Sequence, residues 1–192
     1  KKLIEKRLAV TKDEVSPDWS EQDVISVLRS LKTGKSRDPL GYTNELFKVE
    51  GTDLVKSLTV MMNKVKQTQI TPKPFIMKNV SAIYKNKGSR QDLDNDRGIF
   101  TCTIPHSILQ KLIYKEIYPI IDNNLTDSNV GARKGRNIRN NSFIVNSVLH
   151  EVNSSKSKSN PVDLLILDYA KCFDGMSLEI TTNDMFNVGV RD

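Results

Sequence analysis

Val162-Asp163-Leu164-Leu165-Ile166-Leu167-Asp168-Tyr169-Ala170-Lys171-Cys172-Phe173-Asp174 is the stretch on which the fold turns. Leu164 to Leu167 run without a polar break into a carboxylate at Asp168. An amphipathic surface strand alternates apolar and polar residues, whereas an unbroken apolar run reads as a strand buried on both faces. The pattern therefore predicts a strand over 162–167. A charge at the end of such a strand is costly to bury unless something pairs with it. Mg2+ is one such partner, since hard cations take one or two carboxylates together with phosphate oxygens. Taken alone, the carboxylate reads first as a cap for whatever follows the strand.

Upstream the pattern is mostly helical. Ser20-Glu21-Gln22-Asp23 offers an N-cap and an acidic first turn, and Val24, Ile25, Val27, Leu28 and Leu31 supply a helical stripe that Gly34 ends. A second helix is predicted over 53–68, with Leu54, Val55, Leu58, Met61, Met62 and Val65 on its buried side and Pro72 and Pro74 stopping it. Residues 80–84 and 98–103 read as two strands joined by a polar connection rich in Gly, Ser, Asp and Asn. Pro105 opens a helix carrying Ile108, Leu109, Leu112, Ile113, Ile117 and Ile120, with Pro119 expected to end or kink it. A further helix over 137–152 presents Phe143, Ile144, Val148 and Leu149. The polar run 153–161 is a loop before the predicted strand, and a last helix begins near Ser177. Helices grouped around a few non-consecutive strands imply an α+β fold, mostly helical with a few antiparallel strands.

The composition of the 192 residues, 38% hydrophobic and 27% charged, is that of a folded chain with one ordinary core. Lys plus Arg number 29 against 23 Asp plus Glu, a formal charge of +6 that favours a polyanionic partner. Two cysteines, Cys102 and Cys172, build neither a metal site nor a disulfide framework by themselves, which fits a reducing intracellular compartment, nuclear or cytoplasmic. No apolar run is long enough to span a bilayer, and the mixed-charge start lacks a secretory apolar segment, so no membrane partner is expected. The chain reads like the middle of a longer protein.

Thr33-Gly34-Lys35-Ser36 imitates the tail of a phosphate-binding P-loop, but Arg29 stands where the loop needs its first glycine, and no apolar strand precedes it. An NTPase is therefore not expected. Arg133, Lys134, Arg136 and Arg139 form the densest basic cluster, on a glycine-containing turn and the first turn of a helix. Positive charge there works against the helix dipole, which points to a polyanion as its partner; a solvated basic turn is the plainer reading. Neither His106 nor His150 has a local partner that would make it catalytic.

The opening stretch resembles the first catalytic-aspartate motif of reverse transcriptases, especially those of non-LTR retrotransposons and, more distantly, group II introns. Three upstream blocks stand in the same order as in that family. Residues 31–48, with Lys35-Ser36-Arg37-Asp38-Pro39-Leu40-Gly41 at their heart, resemble a segment near the front of non-LTR polymerase domains that leads into a short helix. Ala82-Ile83-Tyr84-Lys85-Asn86-Lys87-Gly88-Ser89 with Asp94-Asn95-Asp96-Arg97-Gly98-Ile99 resembles the paired fingers strands. Asn129-Val130-Gly131-Ala132-Arg133-Lys134-Gly135-Arg136-Asn137 resembles the turn before a long helix. Departures exist: Gly98 stands for a usual proline, Asp96 for tyrosine, Asn129 for glutamine and Ala132 for phenylalanine, and no Tyr/Phe-x-Asp-Asp box follows Asp168.

The resemblance implies the fingers and partial palm of a right-hand polymerase: an N-terminal extension over 1–18, fingers and a fingers–palm connection over 19–160, and the start of the palm over 161–192. It implies template-directed nucleotidyl transfer with Mg2+, an RNA template, a DNA primer, deoxynucleoside triphosphates, and the remaining palm and thumb of a parent polyprotein. Asp168 and the Tyr169 carbonyl are the implied metal ligands, Asp168 also the catalytic carboxylate. Phe173 is implied to lie beneath the sugar and exclude a ribose 2′-hydroxyl. Arg97, with Lys85, is implied to hold the triphosphate, although the sequence leaves open whether Lys85 or Lys87 approaches Arg97. Arg133, Lys134 and Arg136 are implied to follow template backbone, and Lys35 and Arg37 to lie near template or on the fingers surface; a solvated loop is the even alternative for that pair. Without the Asp-Asp box these 192 residues alone are expected not to extend a primer. The competing expectation is a non-catalytic nucleic-acid-binding remnant of a retroelement, and a third is a small helical interaction domain.

Overall fold

The computed structural model describes residues 16–48, 51–154, 163–169, 172 and 175–190. They form seven α-helices and one antiparallel hairpin: α1 Glu21–Ser30, α2 Asn44–Phe47, α3 Thr52–Thr68, α4 Lys73–Ile76, β1 Lys78–Tyr84, β2 Asp96–Cys102, α5 Ile104–Asn124, α6 Ile138–Ser154 and α7 Leu178–Asn187. This is an α+β chain whose described sheet has two strands. It divides into two units between Glu116 and Ile117, inside α5. The expected boundary at 160/161 lies outside the described residues.

The first unit is built on the apolar stripes legible in the sequence. Ser20 accepts from the Asp23 amide while the Asp23 carboxylate takes the Ser20 N–H at 3.0 Å, a reciprocal cap that starts α1. The Ser20 hydroxyl and amide together hold the Asp23 carboxyl below the usual carboxylate range. α1 packs on α3 through Val24, Val27 and Leu28 against a core that includes Val55, Leu58, Met62 and Val65, closed by Ile104, Ile108, Leu109 and Leu112 of α5. Full burial of each such side chain contributes about 1.5–3 kcal/mol. Trp19 enters this core, and Asn63 of α3 clasps its backbone in both directions, accepting from Trp19 N–H at 2.8 Å and donating to its carbonyl at 2.9 Å. Lys66 lies 4.5 Å from the centre of the Trp19 ring and donates to Glu116 at 2.7 Å, tying the chain entry and α3 to α5. From α5, Lys111 reaches the Ser30 hydroxyl at 2.9 Å and Lys115 that of Ser26.

Both strands begin two residues earlier than expected, and three helices end by means other than the expected glycine or prolines. α1 ends at Ser30 with Leu31 as its extended cap, before Gly34 is reached. α3 stops at Thr68 because Gln69 takes a left-handed conformation, φ 55°, ahead of the prolines. Pro119 does not end α5, which runs on to Asn124.

The second unit has a different character. None of the described residues of α6 or α7 is buried. The strand expected over 162–167 does not form in its described part, 163–167, and Leu165 and Ile166 are each 79% exposed. A strand buried on both faces needs ladder partners at its edges and layers above and below, and the only described sheet is the β1–β2 hairpin.

Candidate nucleic-acid interface

Two basic surfaces and one carboxylate carry the sequence expectations, and the structure gives each a setting. The first surface is the β1–β2 hairpin. Its register sets Ile83 opposite Arg97, Ser81 opposite Ile99 and Tyr84 opposite Asp96. Because side chains alternate along a strand, Ile83 and Arg97 share one face, and Lys85, two residues beyond Ile83, continues it. The alternation reaches Lys85 but not Lys87, because Asn86 between them takes a left-handed conformation, φ 56°, and leaves the strand. The Lys85 amide carries the ladder one step further, donating to the Asn95 carbonyl at 2.8 Å, and its ammonium reaches the Asp94 carbonyl at 2.9 Å. Lys85 and Arg97 are both exposed, and neither is in an ion pair among the described residues.

The 85–95 connection is ordered by its own bonds. The Tyr84 hydroxyl donates to the Gly88 carbonyl at 2.5 Å and the Asn95 amide to the Ser89 carbonyl at 2.9 Å. Gly88 is required: its φ is 81°, and a Cβ there would meet the Asn95 side chain at 2.5–2.8 Å. Arg90 stacks over Tyr84, 5.3 Å from the ring centre. An isolated two-stranded hairpin is marginal in water. This one is anchored at its base, where buried Thr103 donates to the carbonyl of buried Phe75 at 3.1 Å.

The sequence reading passed over the residue that organises the neighbouring loop. Asp38 is 7% exposed and lies in the block that resembles the polymerase front. Its Oδ1 accepts from the amides of Leu40 and Tyr42, both at 2.9 Å, and its Oδ2 accepts from the amide of Ile104, the first residue of α5, at 2.9 Å. Gly41, φ 85°, closes the turn beneath it. The available signal was Asp38-Pro39-Leu40-Gly41, a turn sequence in which aspartate accepts from the backbone two residues on. Lys35 and Arg37 are exposed on this loop.

The second surface is the 131–136 turn, and its three basic residues are not alike. Arg133 is a clamp: its guanidinium donates to the Asp122 carboxylate at 2.6 Å, the Asp122 carbonyl at 3.0 Å and the Thr126 carbonyl at 2.8 Å. The hydrogen bond from Arg133 holds the Asp122 carboxyl below the usual carboxylate range and pushes the guanidinium pKa higher still. Arg136 pairs with Asp127 at 2.6 Å on the surface, where such a pair is worth about 0–1 kcal/mol and exchanges readily for another anion. Lys134 and Arg139 are exposed, without an ion pair among the described residues. For a phosphate backbone this turn and the start of α6 offer Lys134, Arg139 and an exchangeable Arg136; Arg133 already has its partners.

Asp168 and Tyr169 are exposed in the 163–169 segment. Phe173 and Asp174 lie outside the described residues. Asp168 and Tyr169 offer a carboxylate and a backbone carbonyl of the kind Mg2+ takes, and no group of three or more His, Cys, Asp or Glu side chains gathers among the described residues. That set fits a partial site, in which the other ligands are water, phosphate and further carboxylates. No helix among the described residues is long and apolar enough to cross a membrane. No family model matches the chain.

Proposed function

We propose that the chain is the fingers and front palm of an RNA-directed DNA polymerase of the non-LTR retroelement kind, binding an RNA template and DNA primer in a reducing intracellular compartment. The observation that carries the reading is the hairpin register, which gives Arg97 and Lys85 one exposed face within the block that resembles the fingers strands. The order of the four sequence blocks supports it.

In this reading Arg97 and Lys85 hold the triphosphate of an incoming deoxynucleotide, because fixed positive charge there offsets the negative charge that builds as pyrophosphate departs. Lys134, Arg136 and Arg139 contact template backbone. Asp168 and the Tyr169 carbonyl contribute to holding Mg2+, and Phe173 excludes a ribose 2′-hydroxyl. When bound, the metal lowers the pKa of the attacking hydroxyl and stabilises charge on the leaving oxygen.

Single-stranded RNA affinity measured by anisotropy over a range of salt tests the binding half. Each phosphate contact contributes about 0.7 to the slope of log K against log salt. Lys134→Ala with Arg139→Ala should lower that slope by roughly 1.4, the sum for two contacts. A slope near zero for the unaltered chain would sink the reading. The catalytic half is tested in a longer polypeptide carrying the chain, where Asp168→Asn should abolish Mg2+-dependent primer extension and leave RNA affinity unchanged. A second reading is a non-catalytic RNA-binding remnant of a retroelement. It expects salt-dependent binding and no extension in any length of the protein.

A further inference from the structure

Asp38 does more than close its own turn. A carboxylate at 7% exposure is costly to hold unless its lone pairs are satisfied, and three backbone N–H groups satisfy them. The two oxygens divide the work. Oδ1 takes Leu40 and Tyr42 and shapes the loop locally, whereas Oδ2 takes Ile104, 66 residues away, and fastens the loop to the start of α5. Ile104 follows Thr103, whose hydroxyl ties the base of the hairpin to Phe75, and β2 ends one residue earlier at Cys102. The loop bearing Lys35 and Arg37 and the hairpin bearing Lys85 and Arg97 therefore share one anchor. The remaining bonds of the loop are local. Gly34 N–H donates to Glu45 at 2.6 Å, Asn44 to the Lys32 carbonyl at 2.7 Å, and the Arg37 guanidinium reaches the Gly41 carbonyl at 3.5 Å, a long bond that leaves its other donors open to a phosphate.

We propose that Asp38 is a positioning residue: through Ile104 it fixes the 33–42 loop beside the hairpin base, so that Lys35 and Arg37 engage the same nucleic-acid strand as the hairpin cations. The inference rests on the nucleic-acid reading above and adds a set of contacts to it. A negative residue fits this place on electrostatic grounds, because it faces the positive end of the α5 dipole and offsets the charge of the lysine and arginine flanking it. Freed from Ile104, the loop keeps its internal bonds but loses its fixed place, and an ordered pair of phosphate contacts becomes two mobile side chains whose ordering opposes binding.

The test is a double-mutant cycle on RNA binding. Asp38→Asn keeps one oxygen for the local turn and turns an amide NH2 toward the Ile104 N–H, so it cuts the link to α5 selectively. Ile104→Pro cuts the same link from the other side, removing the donor at a first-turn position where proline is tolerated; it also trims a side chain buried in the core, so its slope is read on the folded protein alone. Binding of a fluorescein-labelled oligouridylate is measured over a salt range for both variants, for Lys35→Ala/Arg37→Ala, and for the combinations, with folding checked by circular dichroism. Lys35→Ala/Arg37→Ala should lower the salt slope by roughly 1.4, two contacts at about 0.7 each. Asp38→Asn and Ile104→Pro should each lower it by about as much, and adding the lysine and arginine substitutions should lower it little further. A merely structural role lowers the folded fraction without changing the slope. An unchanged slope in whichever link variant folds, additive slopes, or no effect of Lys35→Ala/Arg37→Ala overturns the inference and leaves the binding reading standing. Absence of salt-dependent binding by the unaltered chain overturns both.

Discussion

α3 and α6 are each 17 residues long, and both carry apolar residues at helical spacing, yet they have opposite fates. α3 buries Val55, Leu58, Met62 and Val65, with Met62 wholly inaccessible, whereas α6 buries nothing and leaves Phe143 72% exposed. The difference is supply of cover. α3 meets α1 and the first half of α5, whose own stripes face it, and the three close a core. Among the described residues of the second unit, Val130 is buried and polar bonds are prominent: the Arg133 clamp, Asn141 to the Ser128 carbonyl at 3.1 Å, and Asn124 to the Val188 carbonyl at 3.3 Å. An apolar stripe expresses a demand for burial, and only a second surface of matching shape meets it.

The sharpest way to break this contrast is to truncate one side chain in each unit. Ile108 is fully buried in the core of the first unit. Ile108→Ala should cost about 2–5 kcal/mol, because the site loses both transfer energy and packing around the void. Phe143→Ala should stay within about 0.5 kcal/mol, as for a surface change away from packed features. Urea unfolding followed by circular dichroism reads both, and the single tryptophan, Trp19, reports the first unit alone by fluorescence. A large loss from Phe143→Ala would mean that the face of α6 is covered in solution, and the contrast would fall.

The same contrast explains what was legible in the residues. Ser20 with Asp23, the stripe of α3 and the alternation around the hairpin are local signals, and each corresponds to an observed element within a few residues. Burial of Leu164 to Leu167 was inferred from the same kind of evidence but depended on strands elsewhere, and local pattern carries no information about them. The register of Arg97 against Ile83 was equally invisible, since the 85–95 connection adjusts its length through a 3-10 turn at Leu93–Asn95. Asp38 was seen as one letter of a block because its most distant partner is a backbone amide, which has no sequence signature. Arg133 and Arg136 look alike as letters, and only the fold shows that one is committed to Asp122 and Thr126 while the other is on the surface.

Acid should sharpen the contrast by weakening the first unit through a buried base. Both ring nitrogens of His106, near the start of α5, are buried without a hydrogen-bond partner among the described residues. Burial first, and then the charge of Lys78, hold its pKa below the ordinary histidine value. The unfolded chain therefore binds a proton more readily than the folded one. Stability is complete above the unfolded value near 6.5 and declines as pH falls from there to the lowered folded value. Urea midpoints read by Trp19 should fall between about pH 7 and pH 5. His106→Phe, which removes the titrating group, should flatten that part of the profile; an equally steep decline in the variant would assign it to other groups.

The smallest effect expected is confined to the second unit, and it follows from how α5 is held at its two ends. At the start a carboxylate, Asp38, meets the positive end of the helix dipole; at the finish a guanidinium, Arg133, takes the Asp122 carbonyl near the negative end. The Asp122 carboxyl, lowered by its hydrogen bond from Arg133, stabilises the turn at pH values above the ordinary aspartate range, and that contribution is lost as pH falls through the lowered folded value. Arg133→Ala should return the Asp122 carboxyl toward its ordinary titration, seen by carbon-13 NMR, and speed amide exchange across 126–136. Because Arg133 lies outside the unit that holds Trp19 and the core cluster, the Trp19-reported midpoint should not move. A shift in that midpoint would mean that the clamp stabilises the first unit as well, and the two halves of the chain would then unfold as one.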